Sequence, residues 1–254
     1  MVYNVRINFD GENKYIKNIA INTKESQRDY NAIFARLDSG GIIKNLKISN
    51  LTVTAPTSIG GVVRAVYKGG TLEHIYMANS NLTATKNSGA MKSSGLIAGY
   101  VEGKAFDIVF FKCNLVSKSW YGSSLGQVSS DSDISDITVQ NCNIETGPDG
   151  ALLSSTIGEG TKVKNISILD SSYNQTHSDA KRGGLLFCTQ NKLNENNPAI
   201  FENLKIQNVK CNSFLKRMVG SGYAKLTNSK VQLKGEKLID DGVILDNTEI
   251  LYVE

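Results

Sequence analysis

Proline occurs three times in 254 residues, histidine twice, cysteine four times and tryptophan once, and each scarcity closes off a class of protein. Two histidines and four cysteines without a CxxC spacing leave no zinc site. No run of about 18 apolar residues is present, so no helical membrane span is expected. A net charge of +4 with no dense Lys/Arg run gives nucleic acid no footing. The GxSxG, P-loop and dinucleotide fingerprints are missing too, which removes the commonest signs of catalysis. The opening residues, MVYNVRINFDGENK, carry Asn, Arg, Asp and Glu where a signal peptide needs an apolar stretch. Because Met1 leads straight into strand-like sequence, the expectation is a trimmed start of an exported protein.

What is abundant points one way. The chain is 40% hydrophobic, enough for a core, and holds 23 glycines and 25 asparagines, a mixture suited to short strands joined by many turns. Self-similarity is visible in YIKNIAIN, IIKNLKISNLTV, TLEHIYMANSNLT, AFDIVFFKCNLV, ISDITVQNCNIE, VKNISILDSSYN and FENLKIQNVKCN. Aligned on Ile19, Leu46, Ile75, Ile108, Ile137, Ile166 and Leu204, these segments recur every 27, 29, 33, 29, 29 and 38 residues. A repeat with loops of variable length is the simplest account.

The columns of this alignment have strand periodicity. Apolar residues fill the positions three before and two after the anchor, as in Ile43 and Ile48, while the position after the anchor varies from Ala20 and Lys47 to Tyr76 and Thr138. That alternation has the period of two of a half-buried strand. A second inward pair follows, as in Leu51/Val53 and Cys142/Ile144, after an odd step that requires a bend at Asn50, Asn79, Lys112, Asn141, Asp170 and Asn208. A third apolar stretch, such as GVVRAVYKGG, precedes each anchor segment. Three strands and three corners per repeat define an all-β fold, a right-handed parallel β-helix of triangular cross-section. Residues 1–214 are read as its repeats and 215–254 as irregular terminal coils and a cap of the same domain.

FDGENKYIKNI, GLIAGYVEGK and the passage from GG into IIKNLKISNLTV resemble the GLUG repeats of bacterial surface and secreted proteins. The resemblance spans about residues 9–212. It implies a parallel β-helix serving as a stalk or binding surface, as in the amino-terminal regions of immunoglobulin A1 proteases and in large adhesins, and it implies no catalytic residues. The Gly-Leu-Val-Gly of those repeats survives in part, as Gly95–Gly99.

Three groups of residues are candidates for chemistry. The position before the anchor holds Asn18, Asn45, His74, Asp107, Asp136, Asn165 and Asn203, so His74, Asp107 and Asp136 fall in consecutive coils. Two carboxylates that close would share a proton or hold a cation, calcium being the metal such oxygens would take, although no motif calls for any cofactor. The competing reading, favoured by the asparagines, makes the column a second polar corner. Tyr67, Tyr100 and the adjacent Trp120 and Tyr121 could form an aromatic strip for sugar rings, or could fill the core. Cys113 and Cys142 share an inward column with Ser80 and Ser171, as reduced buried thiols. The N-x-[ST] sites at Asn50, Asn81 and Asn165 follow from the Asn-rich repeat.

The expected function is therefore a non-catalytic binding, adhesion or stalk module of a bacterial or phage surface protein, secreted or at the cell surface. Its partner would be a host or bacterial surface glycan or protein, with no nucleic acid and no membrane span. The rival is a polysaccharide lyase or glycosidase using His74, Asp107, Asp136 and Arg182. A third reading is a structural repeat of a larger protein.

Overall fold

The structure is a computed structural model that describes residues 6, 8–24, 31–86, 93–118, 121–176, 183–190, 194–212 and 214–253. It is all-β, a parallel β-solenoid of about seven turns, and no helix occurs among the described residues. A typical coil contributes a long strand, a short strand and a closing strand, as in Ile42–Ser49, Thr52–Ala55 and Val63–Val66. Long strands follow at Thr71–Ala78, Lys104–Phe111, Asp133–Gln140 and Lys162–Leu169, each hydrogen-bonded in parallel to the one before. The closing strands stack into a separate parallel sheet of seven, running from Phe34–Leu37 to Val219–Ser221.

Register explains the inward columns. Leu46, Ile75, Ile108, Ile137 and Ile166 lie on successive rungs, as do Ile48, Met77, Phe110, Val139, Ile168 and Ile206, and all are buried. Like residues stack about 4.8 Å apart, so a side chain that fits one coil fits the next. Each such aliphatic contributes roughly 1.5–3 kcal/mol by leaving water.

Each long strand is bent in the middle, so a typical coil has two left-handed corners, as the polar-corner reading of the column from Asn45 to Asn203 expects. The first set is Asn45, His74, Asp107, Asp136, Asn165 and Asn203, with φ between 51° and 56°. The ladder skips these rungs: Lys44 pairs with Glu73 and Leu46 with Ile75, but Asn45 and His74 do not pair. The second set is Asn50, Asn79, Lys112, Asn141, Asp170 and Asn208, with φ between 49° and 56°. Left-handed backbone suits Asn, Asp and His, whose short polar side chains bond locally.

After the second corner a small polar residue faces inward. Ser80, Cys113, Cys142 and Ser171 each point the side chain at the carbonyl two residues earlier. Their Oγ and Sγ atoms also accept a backbone N–H from the coil before. Leu51 donates to Ser80 Oγ at 3.2 Å, Cys113 to Cys142 Sγ at 3.3 Å and Cys142 to Ser171 Oγ at 3.0 Å. The column thus replaces the carbonyl that the bend turns away, and all four cysteines are free thiols.

Two features depart from the repeat alignment. In the first coil Ile16 stands opposite Ile48 and Ile21 opposite Val53, so Asn18 is a second-corner residue and Asn13 the first. The correct shift between these coils is 32 residues, as in the Asn18–Asn50 pair, and aligning Ile19 with Leu46 misplaced the coil by five. Polar Lys14 stands in the column that Leu46 and the other apolar anchors fill. Beyond Phe214 the ladder continues, with Lys230 opposite Lys205 and Glu249 opposite Lys230. These coils shorten to repeats of 25 and 19 residues. Their single corners are Asn228 and Asn247.

Candidate functional site

The first-corner residues project outward and hydrogen-bond along the rod. Asn45 Nδ2 donates to Asp10 Oδ1 at 3.0 Å, His74 Nδ1 lies 2.5 Å from Asp107 Oδ2, Asn165 Nδ2 donates to Asp136 Oδ1 at 2.8 Å, and Asn203 Nδ2 to Asn165 Oδ1 at 2.8 Å. His74 and Asp107 are therefore brought together as expected, each about half exposed. Asp136 occupies the next corner but is engaged by Asn165 on its far side. Such pairing suits a corner, because each amide or imidazole ties one left-handed residue to the next where the strand ladder skips a pair. Among the described residues no group of three or more His, Cys, Asp and Glu converges in a metal-holding arrangement. The backbone bonds of Asp10 with the Glu12 N–H, and then the Asn45 amide, hold the Asp10 carboxyl below its usual range.

Beside this corner runs a groove of about 320 Å³, walled by Asn13, Asn45, His74 and Asp107 and floored by Lys47, Tyr76 and Val109. The outward column that supplies its floor begins at Tyr15, which stands opposite Lys47, which stands opposite Tyr76. Tyr15 is 49% exposed. Its ring is approached by Lys17 Nζ at 4.7 Å and Lys47 Nζ at 5.8 Å. Across the corner, the His74 ring meets Phe106 edge-on at 6.1 Å. Two phenol rings on rungs either side of a lysine, next to an imidazole–carboxylate pair, form an amphipathic strip with groups able to stack on a sugar and bond its hydroxyls.

The aromatic strip read from the sequence is distributed differently. Tyr100 stands opposite Ala65, two residues along the strand from the position that would match Tyr67. The rings nevertheless meet at 5.7 Å, and the Arg36 guanidinium lies 4.2 Å from the Tyr67 ring centre. Arg36, Ala65 and Tyr100 share one outward column, so Tyr67 folds over the small Ala65 and fills the gap between its neighbours. Burial, followed by the charge of Glu102, pushes the Tyr100 hydroxyl up. The pair is packed against a cation more than it is offered to a ligand. Tyr121 opens a different pairing, opposite Ser93 in a two-stranded sheet. Trp120 and Arg182 lie outside the described residues.

No family model, curated protein or solved structure matches the chain. Of the strip's residues, Tyr15 escaped the sequence alignment because the five-residue slip put Ala20 in its column. The signal was available, since Tyr15, Lys47 and Tyr76 line up once Ile16 is matched to Ile48.

Proposed function

We propose that this protein is a non-catalytic, rod-shaped binding module of a bacterial or phage surface protein, secreted or cell-surface, whose partner is a surface glycan. The observation that carries the reading is the outward-facing Tyr15–Lys47–Tyr76 column, exposed at Tyr15 and half-buried at Lys47 and Tyr76, beside the groove at His74. The resemblance to GLUG repeats supports it, since those repeats are used as stalks and binding surfaces. A rigid ladder suits this use, because it holds stacking rings at fixed rungs without an ordering cost on binding.

Calorimetry against an array-selected neutral oligosaccharide tests the reading. Tyr76→Ala should weaken binding about three- to tenfold, the worth of one aromatic contact. Unchanged affinity in Tyr76→Ala and Tyr15→Ala together would remove the strip from consideration.

One observation favours a second reading, a glycan-cleaving enzyme: the short His74–Asp107 contact at the groove wall. A carboxylate that orients an imidazole is a common general-base arrangement. Product formation from neutral and acidic polysaccharides, abolished in His74→Gln and Asp107→Asn, would establish it.

A further inference from the structure

We infer that a second groove, at the C-terminal end of the rod and on the far side of the second corner, binds the anionic groups of an acidic polysaccharide. This groove, of about 500 Å³, lies between the corner residues Asp170 and Asn208 and the outward side chains of Asn143, Ser172, Lys210 and Lys234. Ser172 stands opposite Lys210 and Lys210 opposite Lys234, so the two lysines occupy adjacent rungs of one outward column. Both are exposed, and neither has an ion-pair partner among the described residues.

Three nearby lysines are compensated and these two are not. Lys216 meets Glu236 at 3.0 Å, Lys225 meets Asp246 at 2.9 Å and Lys230 meets Glu249 at 3.2 Å. Two ammonium groups on rungs about 4.8 Å apart repel each other. A sulfate ester or carboxylate between them removes that repulsion and gains charge-assisted hydrogen bonds.

The rest of the groove argues for a sugar chain and against a bare anion. Asp170 Oδ1 accepts from Asn208 Nδ2 at 3.0 Å, Ser172 Oγ donates to Asn143 Oδ1 at 2.6 Å, and Asn143 Nδ2 donates to Asn114 Oδ1 at 2.8 Å. These bonds fix the side chains and leave acceptors, the second Asp170 oxygen and the Ser172 lone pairs, toward the N-terminal end. Hydroxyl groups fit there, and the anionic group fits one and two coils further on. A uronic acid or sulfated sugar carries both. This site is separate from the Tyr15–Tyr76 strip, so it stands or falls independently of the neutral-glycan reading.

The test is affinity for polygalacturonate and dextran sulfate, with neutral dextran and sodium sulfate alone as controls. Three proteins are compared: wild type, Lys210→Gln/Lys234→Gln, and the charge-matched Lys104→Gln/Lys118→Gln. The expected result is binding of at least one polyanion, weakened about tenfold or more in Lys210→Gln/Lys234→Gln and less than about twofold in the matched variant. Without ligand, the groove variant should melt no lower than wild type, since a repulsion has been removed. Equal weakening in both variants would mean diffuse attraction and would overturn the site, as would failure to bind either polymer. Sodium sulfate raising the melting temperature as much as dextran sulfate, at equal sulfate, would overturn the assignment to a polysaccharide.

Discussion

At Cys142 the side chain performs two backbone duties, accepting the Cys113 N–H and pointing at the Gln140 carbonyl, while its own N–H is taken up by Ser171 Oγ. The position thus demands a small group that both donates and accepts, which Ser and Cys supply and Ala does not. Ser171→Ala should cost about 1–3 kcal/mol by stranding the buried Cys142 N–H, while Cys142→Ser should stay within about 1 kcal/mol; urea unfolding of the two variants separates them. Thiol ionisation gives a second outcome. Burial pushes the Cys211 thiol up to about 12. The group is raised in the folded state, so its stabilising effect is complete below the unfolded thiol value of about 8.5 and is lost as pH rises above it. Denaturant midpoints should therefore fall between about pH 9 and 12, with a slope approaching 1.4 kcal/mol per pH unit for one such group. Cys211→Ala should flatten that decline; an identical slope in the variant would show that other groups cause it.

Elements in this fold are defined by where they stop, and the stops are left-handed residues. Asn, Asp or His occupies every first corner from Asn45 to Asn203, while Lys112 is the only second-corner residue of a different type. A left-handed conformation costs an ordinary L-residue roughly 1–2 kcal/mol, which Asn and Gly reduce. Lys112→Asn should accordingly raise stability by about 0.5–1 kcal/mol in thermal melts, and a lower melting temperature would deny that backbone strain matters there. The same corners mark the limit of sequence legibility. The strand columns, the second corner and the Cys113–Cys142 stacking could be read because apolar periodicity survives variable loops. The bend within the long strand was ambiguous, since the step from Ile43 to Leu46 is odd but the segment pairs as one strand. The register of the first coil is not legible in the sequence because Lys14 carries no apolar signal at the anchor position. Side-chain pairings such as His74 with Asp107 depend on rotamers, which no repeat pattern specifies. If the first-corner carboxylates bind calcium in place of hydrogen-bonding their neighbours, millimolar calcium should raise the melting temperature, and Asp136→Asn should abolish the rise; an unchanged melting temperature means the column is only a corner.

On the scale of the whole rod, each coil touches chiefly the one above and the one below, so stability is a sum of coil and interface terms and the molecule can be lengthened or shortened by whole turns. Asp133 stands one rung above Lys104 and one below Lys162, and this repeat is 29 residues, as in the Cys142–Ser171 bond. Excising residues 133–161 therefore places Lys104 against Lys162 and Asn114 against Ser172, with every inward column intact. The Cys113 N–H, deprived of Cys142, then finds Ser171 Oγ, and Ile108 finds Ile166. That shortened rod should keep a β-sheet circular dichroism spectrum and unfold cooperatively at a modestly lower temperature. One alanine inserted between Thr138 and Val139 changes far fewer atoms but turns Val139 outward and displaces the corner at Asn141, against the register of both neighbours. Exposing Val139 alone forfeits about 1.5–3 kcal/mol, and the mispaired rungs add to it. The insertion should thus destabilise the protein more than loss of the entire coil does. The reverse order of melting temperatures would mean that coil number, and not register between coils, holds this fold together.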